Sequence, residues 1–192
     1  MSAPPFSPLG SAVLSRTGLW WEIETPIYRA RLPLPWRRLE KIDSALLQVD
    51  WRAGPLFELK SPKIPARLLA HSALHFAREI SRCGGQIEAL VWLTWDGREW
   101  NLVVPAQMQS RWRVESRPIQ PDDNVALVLH SHGRAPAFFS VTDDESEQDG
   151  FLYGVMGGLS PANTCKISFK FRAGHAGSFL PLQVGEIFDG GP

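Results

Sequence analysis

Cysteine is nearly absent from this sequence of 192 residues, and so is any excess of charge: there are two cysteines, and 20 basic side chains stand against 20 acidic ones. Cys83 and Cys165 form no Cys-x-x-Cys pair, so two reduced thiols in a cytoplasmic protein are expected rather than a disulfide framework. The charge balance excludes a broad basic face, and with it binding to nucleic acid through one. No run approaches the roughly twenty apolar residues that span a bilayer. The first residues, MSAPPFSPLGSAVLSR, carry prolines where an export signal needs an apolar helix, and no basic region comes before one. No membrane partner is expected, and the cytoplasm is the expected location. No internal repeat is visible either. Hydrophobic content of 44% and charged content of 21% are those of an ordinary globular protein, long enough to bury most of its apolar surface in one core. The eight tryptophans are expected to anchor that core or its edges.

The chain divides near Ser61-Pro62-Lys63-Ile64-Pro65, a plausible boundary, into an N-terminal appendage over residues 1–62 and a core over 63–192. Residues 1–18 are rich in Pro, Ser and Gly and are expected to fray. Leu19–Glu24 and Ile27–Leu34 read as extended, Arg37–Gln48 as a short helix from the spacing of Leu39, Ile42, Leu46 and Leu47, and Phe57 with Leu59 as a weak strand. Ala66–Arg82 is the clearest helix, with Leu69, Ala73, Phe76, Ala77 and Ile80 on one face and Gly84 and Gly85 stopping it. Gln86–Trp95 reads as a strand turning at Asp96-Gly97 and returning over Glu99–Val104. Residues 111–117 suggest a further strand with a charged face. Phe151–Gly157 reads as a core strand, Cys165–Arg172 as a half-exposed one, and Leu182–Phe188 as the last.

Between these lies Asn124–Asp144, NVALVLHSHGRAPAFFSVTDD, the stretch on which function depends. Val125 to His130 reads as a buried strand, and a two-residue period sends His130 and His132 to one face while Ser131 points away. Ser140 then sits at or near a helix start, three residues before Asp143. Two imidazoles and a carboxylate suit zinc, which in catalytic sites takes three protein ligands. The spacing His-x-His, seven residues, Ser, two residues, Asp arises by chance in roughly one sequence in two thousand of this composition. A polar strand end followed by a helix cap is the plain alternative. Glu88, opening an apolar strand, is either exposed at the strand end or functional. His71, His75 and Glu79 form a second row on the long helix. They lie among arginines that mark a solvated face, and Ser72 stands where a zincin helix has its glutamate.

The His-x-His…Ser-x-x-Asp spacing with an upstream glutamate resembles the signature of the JAMM/MPN metalloprotease family, and Tyr153-Gly154-Val155 with Gly157 is similar to the strand that follows its motif helix. The resemblance implies an α/β (α+β) domain of JAMM/MPN, cytidine-deaminase-like fold: a mixed β-sheet flanked by helices, here with an N-terminal extension. It implies Zn²⁺ held by His130, His132 and Asp143, Glu88 as general base and Ser140 as hydrogen-bond donor to the oxyanion. It also implies hydrolysis of a peptide or isopeptide bond after the C-terminal glycine of a ubiquitin-like or sulfur-carrier protein, beside a ThiF/E1-like enzyme in bacterial relatives. The family's usual proline after the second histidine is here Gly133, so the following loop, with Phe138 and Phe139 walling the cleft or packing beneath it, is expected to sit differently. A scaffold that binds such a partner without turnover is the alternative. A deaminase is the weaker one, since its Cys-x-x-Cys ligands are missing.

Overall fold

The computed structural model describes residues 10–36, 42, 44–84, 87–147, 150–160, 167–175 and 177–190. In chain order the strands are β1 (Gly10–Leu14), β2 (Leu19–Glu24), β3 (Tyr28–Leu34), β4 (Leu47–Val49), β5 (Leu56–Leu59) and β6 (Ile64–Pro65), followed by helix α1 (Ala66–Arg82). Then come β7 (Leu90–Trp95), β8 (Trp100–Val103), β9 (Gln107–Gln109), β10 (Val114–Ser116), β11 (Val125–Ser131), helix α2 (Val141–Ser146) and β12 (Leu152–Gly157). β13 (Ser168–His175), β14 (Ser178–Leu182), helix α3 (Val184–Ile187) and β15 (Phe188–Asp189) complete the chain.

The central sheet runs β14-β13-β12-β11-β7-β8. Within this sheet, among the described residues, only β11 and β12, the two strands joined through α2, are parallel neighbours. A parallel pair needs a crossover rather than a hairpin, so the chain leaves the sheet after β11 and returns to it at β12. The second sheet runs β4-β1-β2-β3-β5, and β9 with β10 forms a separate hairpin. This is an α+β architecture of mixed sheets and few helices. No described helix is long and apolar enough to cross a membrane.

One hydrophobic core joins the N-terminal sheet to the rest. Ile23, Tyr28, Ala30 and Leu32 are buried in the same cluster as Ile64, Phe76 and Ile80 beneath α1 and Leu127, Leu129 and Phe171 of the central sheet. The Tyr28 hydroxyl donates to the Phe151 carbonyl at 3.3 Å, and Trp21 stacks on His175 with ring centroids 5.4 Å apart. The opposite face of the central sheet has its own cluster of Leu90, Trp92, Val125, Val128 and Tyr153. Every residue of β11 is therefore buried, and its alternation separates two apolar faces rather than a wet face from a dry one.

Several expectations change. Residues 10–14 do not fray: β1 pairs antiparallel with β2 from Gly10↔Ile23 to Leu14↔Leu19 and buries Ala12 and Val13. The helix expected over Arg37–Gln48 falls partly on residues outside those described. Its described end is a single 3₁₀ turn, Ser44–Leu46, followed by β4, which pairs with β1. The last strand expected over Leu182–Phe188 is instead the end of β14 followed by the four-residue α3, whose capping box joins Gln183 to Glu186. The half-exposed strand expected over Cys165–Arg172 begins at Ser168, and Phe171 to Gly174 are buried. Cys165 lies outside the described residues, while Cys83 is free and exposed.

Candidate metal centre

β11 carries the histidines to the site on a backbone held from both sides. β7 pairs with it along one edge and β12 along the other. Beyond the strand end, the His132 amide donates to the Met156 carbonyl at 2.9 Å. The side chains follow the expected alternation, with His130 and His132 on one face and Ser131 on the other. Ser131 is fully buried, and its Oγ accepts from the Ala89 amide at 3.0 Å while its own amide donates to the Ala89 carbonyl at 2.8 Å.

Gly133, where the resembling family has proline, has φ +57°. Proline cannot adopt that angle. The turn folds residues 133–137 back onto the end of β12, where Gly158 donates to the Ala135 carbonyl at 2.7 Å and Leu159 to the Gly133 carbonyl at 2.9 Å. A Cβ on Gly157 would lie 2.3 Å from the Ala135 carbonyl oxygen, so only glycine permits this approach. The loop delivers two phenylalanines with different tasks. Phe139 packs against the cluster on the outer sheet face, whereas Phe138 is 49% exposed with its ring edge-on to His132 at 4.5 Å.

α2 brings the carboxylate. Ser140 is its N-cap and Asp143 the third helical residue, and the two close a capping box. The Asp143 amide donates to Ser140 Oγ at 3.2 Å, and the Ser140 amide and hydroxyl both donate to Asp143 Oδ2, at 2.6 and 2.7 Å. The cap does not exhaust Asp143, because Oδ1 stands 3.2 Å from His130 Nε2. The helix-cap alternative and the metal-site reading thus describe one arrangement.

The three donors converge. His130 Nε2 and His132 Nε2 are 3.1 Å apart, and Asp143 Oδ2 lies 3.7 Å from His132 Nε2. Donors about 2.0–2.1 Å from one tetrahedral centre stand about 3.3 Å from each other, so the set fits zinc-like coordination. Among the described residues, His130, His132 and Asp143 are the one group of three or more potential ligands so clustered. His71, His75 and Glu79 do not form one. Glu79 pairs with Arg82 at 2.5 Å instead, and the His75 imidazole is pushed below its ordinary pKa by burial.

The electrostatics suit ligands. Burial works to raise the Asp143 pKa, but the hydrogen bond and charge of His130 and the two hydrogen bonds from Ser140 outweigh it and keep the carboxylate ionised. Burial, reinforced by the charge of His130, lowers His132 to about 4, leaving a neutral imidazole at physiological pH.

Glu88 shares a cleft of about 310 Å³ with His130, Ser140 and Asp143. It does not open a strand, since β7 begins two residues later. Its segment is pinned from three sides: the Glu88 amide donates to the Ser110 carbonyl at 2.9 Å, Ser131 holds Ala89, and the Gln107 amide group brackets Leu90 with bonds of 2.8 and 3.1 Å. Burial first, then the charge of Asp143, pushes the Glu88 carboxyl up to about 7, although His130 opposes the shift.

Two contributors escaped sequence reasoning. The β9–β10 hairpin forms one wall of the cleft through Trp112 to Ser116. β10 lies within the strand expected over residues 111–117, but β9 is three residues long and their pairing beside the cleft has no local signal. Glu147 and its partner Arg172 were the other. The sequence offers Asp144, Glu145 and Glu147 as acids that favour the helix start through its dipole, with Asp144 also a candidate substitute ligand; in the structure Asp144 and Glu147 both pair with Arg172. Arg172 continues the alternation of Lys170 along β13, so no local signal marked it as buried.

A family model of prokaryotic homologs of the JAB domain matches residues 62–171, more than half of the chain. The protein belongs to this family, a branch of the JAMM/MPN proteins, and its His130, His132 and Asp143 can bind a metal ion. No curated protein matches the chain significantly.

Proposed function

We propose that the protein is a zinc-dependent hydrolase of a peptide or isopeptide bond after the C-terminal glycine of a ubiquitin-like or sulfur-carrier protein. The observation that carries this reading is the convergence of three donors at tetrahedral spacing, two of them, His130 and Asp143, lining the same cleft as a carboxyl poised near neutral pH. His130, His132 and Asp143 would hold the ion. Bound there, zinc supplies Lewis acidity and lowers the pKa of a water towards 7.

The remaining work belongs to the chain. Glu88 takes the proton of the attacking water and returns it to the leaving amine, and a pKa close to the working pH suits both transfers. Asp143 orients the imidazoles through His130. Ser140 donates to Asp143 in the resting arrangement, and turning its hydroxyl towards the cleft makes it a donor to the developing oxyanion, a contribution worth about 10²–10³ in rate.

A protein substrate is supported by the rim. Met108 and Trp112 on the hairpin are 72% and 68% exposed, and Phe138 and Val141 stand exposed on the other side of the site. β10 lines the cleft and, among the described residues, has a strand partner on one side only, so an extended tail can add to its free edge. Chain length and the N-terminal segment also look like protein A of the bacterial PRTRC gene cassette, which makes a ThiF/E1-like enzyme a proposed partner and the cytoplasm the proposed location.

Zinc content of the purified protein, with cleavage of a Gly-Gly-linked ubiquitin-like substrate by wild type and Glu88→Gln, tests the proposal. Stoichiometric zinc and cleavage lost only in the variant are expected. Zinc without glutamate-dependent cleavage would favour a scaffold that binds a ubiquitin-like or E1-like partner without turnover.

A further inference from the structure

We propose that Arg172, on β13 and outside the motif, is the positioning residue that sets the metal-binding carboxylate against the two histidines. The inference rests on the metal-site reading above. The Arg172 side chain is buried, and its guanidinium carbon lies 3.7 Å from the ring centroid of Phe139 on one side and 3.7 Å from that of Phe179 on the other. In the plane between the rings, Nη1 meets Asp144 Oδ1 at 2.7 Å, Nε donates to Glu147 Oε2 at 2.9 Å, and Nη2 approaches Glu147 Oε1 at 2.8 Å.

The positions of these partners along the chain give the contacts their meaning. Phe139 comes one residue before Ser140, Asp144 one after Asp143, and Glu147 caps the helix C-terminus. One guanidinium therefore grips the segment before the N-cap, inside the first turn and at the far end, with Ser140 and Asp143 held between. A helix of six residues has too few internal hydrogen bonds to stand alone. An arginine, planar and stacked, fixes direction as well as distance in a way a lysine does not. Gly174, two residues along the same strand, leaves the room this needs: a Cβ there would lie 3.0 Å from the Phe179 ring and 3.4 Å from Glu147 Oε2. Burying the Arg172 cation with the Glu147 carboxyl costs several kcal/mol in desolvation, and apolar packing would join α2 to the sheet at least as well. What apolar packing would not supply is a fixed orientation of the turn that carries Asp143.

The test is cobalt(II) binding to the metal-free full-length protein, read from the visible absorption of the tetrahedral ion in competition with a chelator. Near-ultraviolet circular dichroism of the tryptophans reports folding in the same samples. Arg172→Lys keeps the charge but loses the fork and the stack. Arg172→Gln combined with Glu147→Gln removes the charge with its closest buried partner, and decides the matter if the lysine variant does not fold. Folded variants are expected to bind cobalt 10- to 100-fold more weakly than wild type, the usual loss when a group orienting a ligand is removed. A folded variant that binds within tenfold of wild type overturns the proposal and leaves the metal site standing. A wild-type protein that binds no cobalt overturns the metal-site reading, and this one with it.

Discussion

His130 and His132 leave a strand whose backbone is hydrogen-bonded on both edges and whose residues are all buried, whereas Asp143 stands in the first turn of a six-residue helix at the end of a loop. The histidines cannot move without disturbing the centre of the sheet. The acid is held by a capping box, by His130 and by the neighbours that Arg172 grips. A tetrahedral site needs both halves placed to a few tenths of an ångström. Here the sheet provides a rigid reference, and a small set of polar contacts trims the third donor to it. The frame that fixes the histidines and the contacts that place the acid thus reside in different residues, so each half can be perturbed by itself.

The largest effect expected is on the sheet-held half. His132→Ala should lose zinc entirely on dialysis while far-ultraviolet circular dichroism stays unchanged; stoichiometric zinc in that variant would show that the strand end is not where the ion is held. Ser140→Ala attacks the other half. Losing the cap should cost about 1 kcal/mol in urea unfolding, and losing the hydroxyl's hydrogen bond to the carboxylate should weaken metal binding about tenfold by chelator competition. Equal damage to stability from both substitutions would break the distinction drawn here.

Smaller effects separate Glu88 from the ligands. Its folded pKa of about 7 lies above the ordinary 4.5, so the folded state holds this proton more tightly. Stability from this group is present below pH 4.5 and is lost as pH rises to about 7. In metal-free protein, Glu88→Gln should therefore be more stable than wild type at pH 8, by about 1 kcal/mol after allowing for solvent screening, with the gap closing by pH 4.5. A gap independent of pH would mean that the carboxyl is not held in the desolvated cleft. Ser131→Ala removes the acceptor of the Ala89 amide, with an expected cost of about 1 kcal/mol and a fall in kcat at unchanged zinc affinity. A change in zinc affinity instead would place Ser131 with the ligands.

Elements with a strong local signal were legible from the residues alone. The seventeen residues of α1 show a sustained apolar stripe and end at the expected place, β2 covers the run Leu19–Glu24 read as extended, and Asp96-Gly97 turns the β7–β8 hairpin with Asp96 Oδ1 accepting from the Arg98 and Glu99 amides. The donor cluster was legible for the same reason, since His130, His132, Ser140 and Asp143 span only fourteen residues and their geometry follows from a strand end and a helix cap. Some short elements were not. β1 hid in a Gly- and Ser-rich segment because its stability comes from pairing with β2, and α3 was mistaken for strand because four residues show no period.

The sequence by itself determined which side chains face the cleft from β11 and which carboxylate meets them, because strand alternation and capping chemistry act over a few residues. Only the tertiary structure decided where Glu88 sits, since its backbone is held by Ser110, Ser131 and Gln107 from separate parts of the chain. It also decided that an arginine of β13, some thirty residues from Asp143, reaches the turn that carries that acid. Such contacts form only when distant segments are packed together, and no local pattern encodes the closing of those loops.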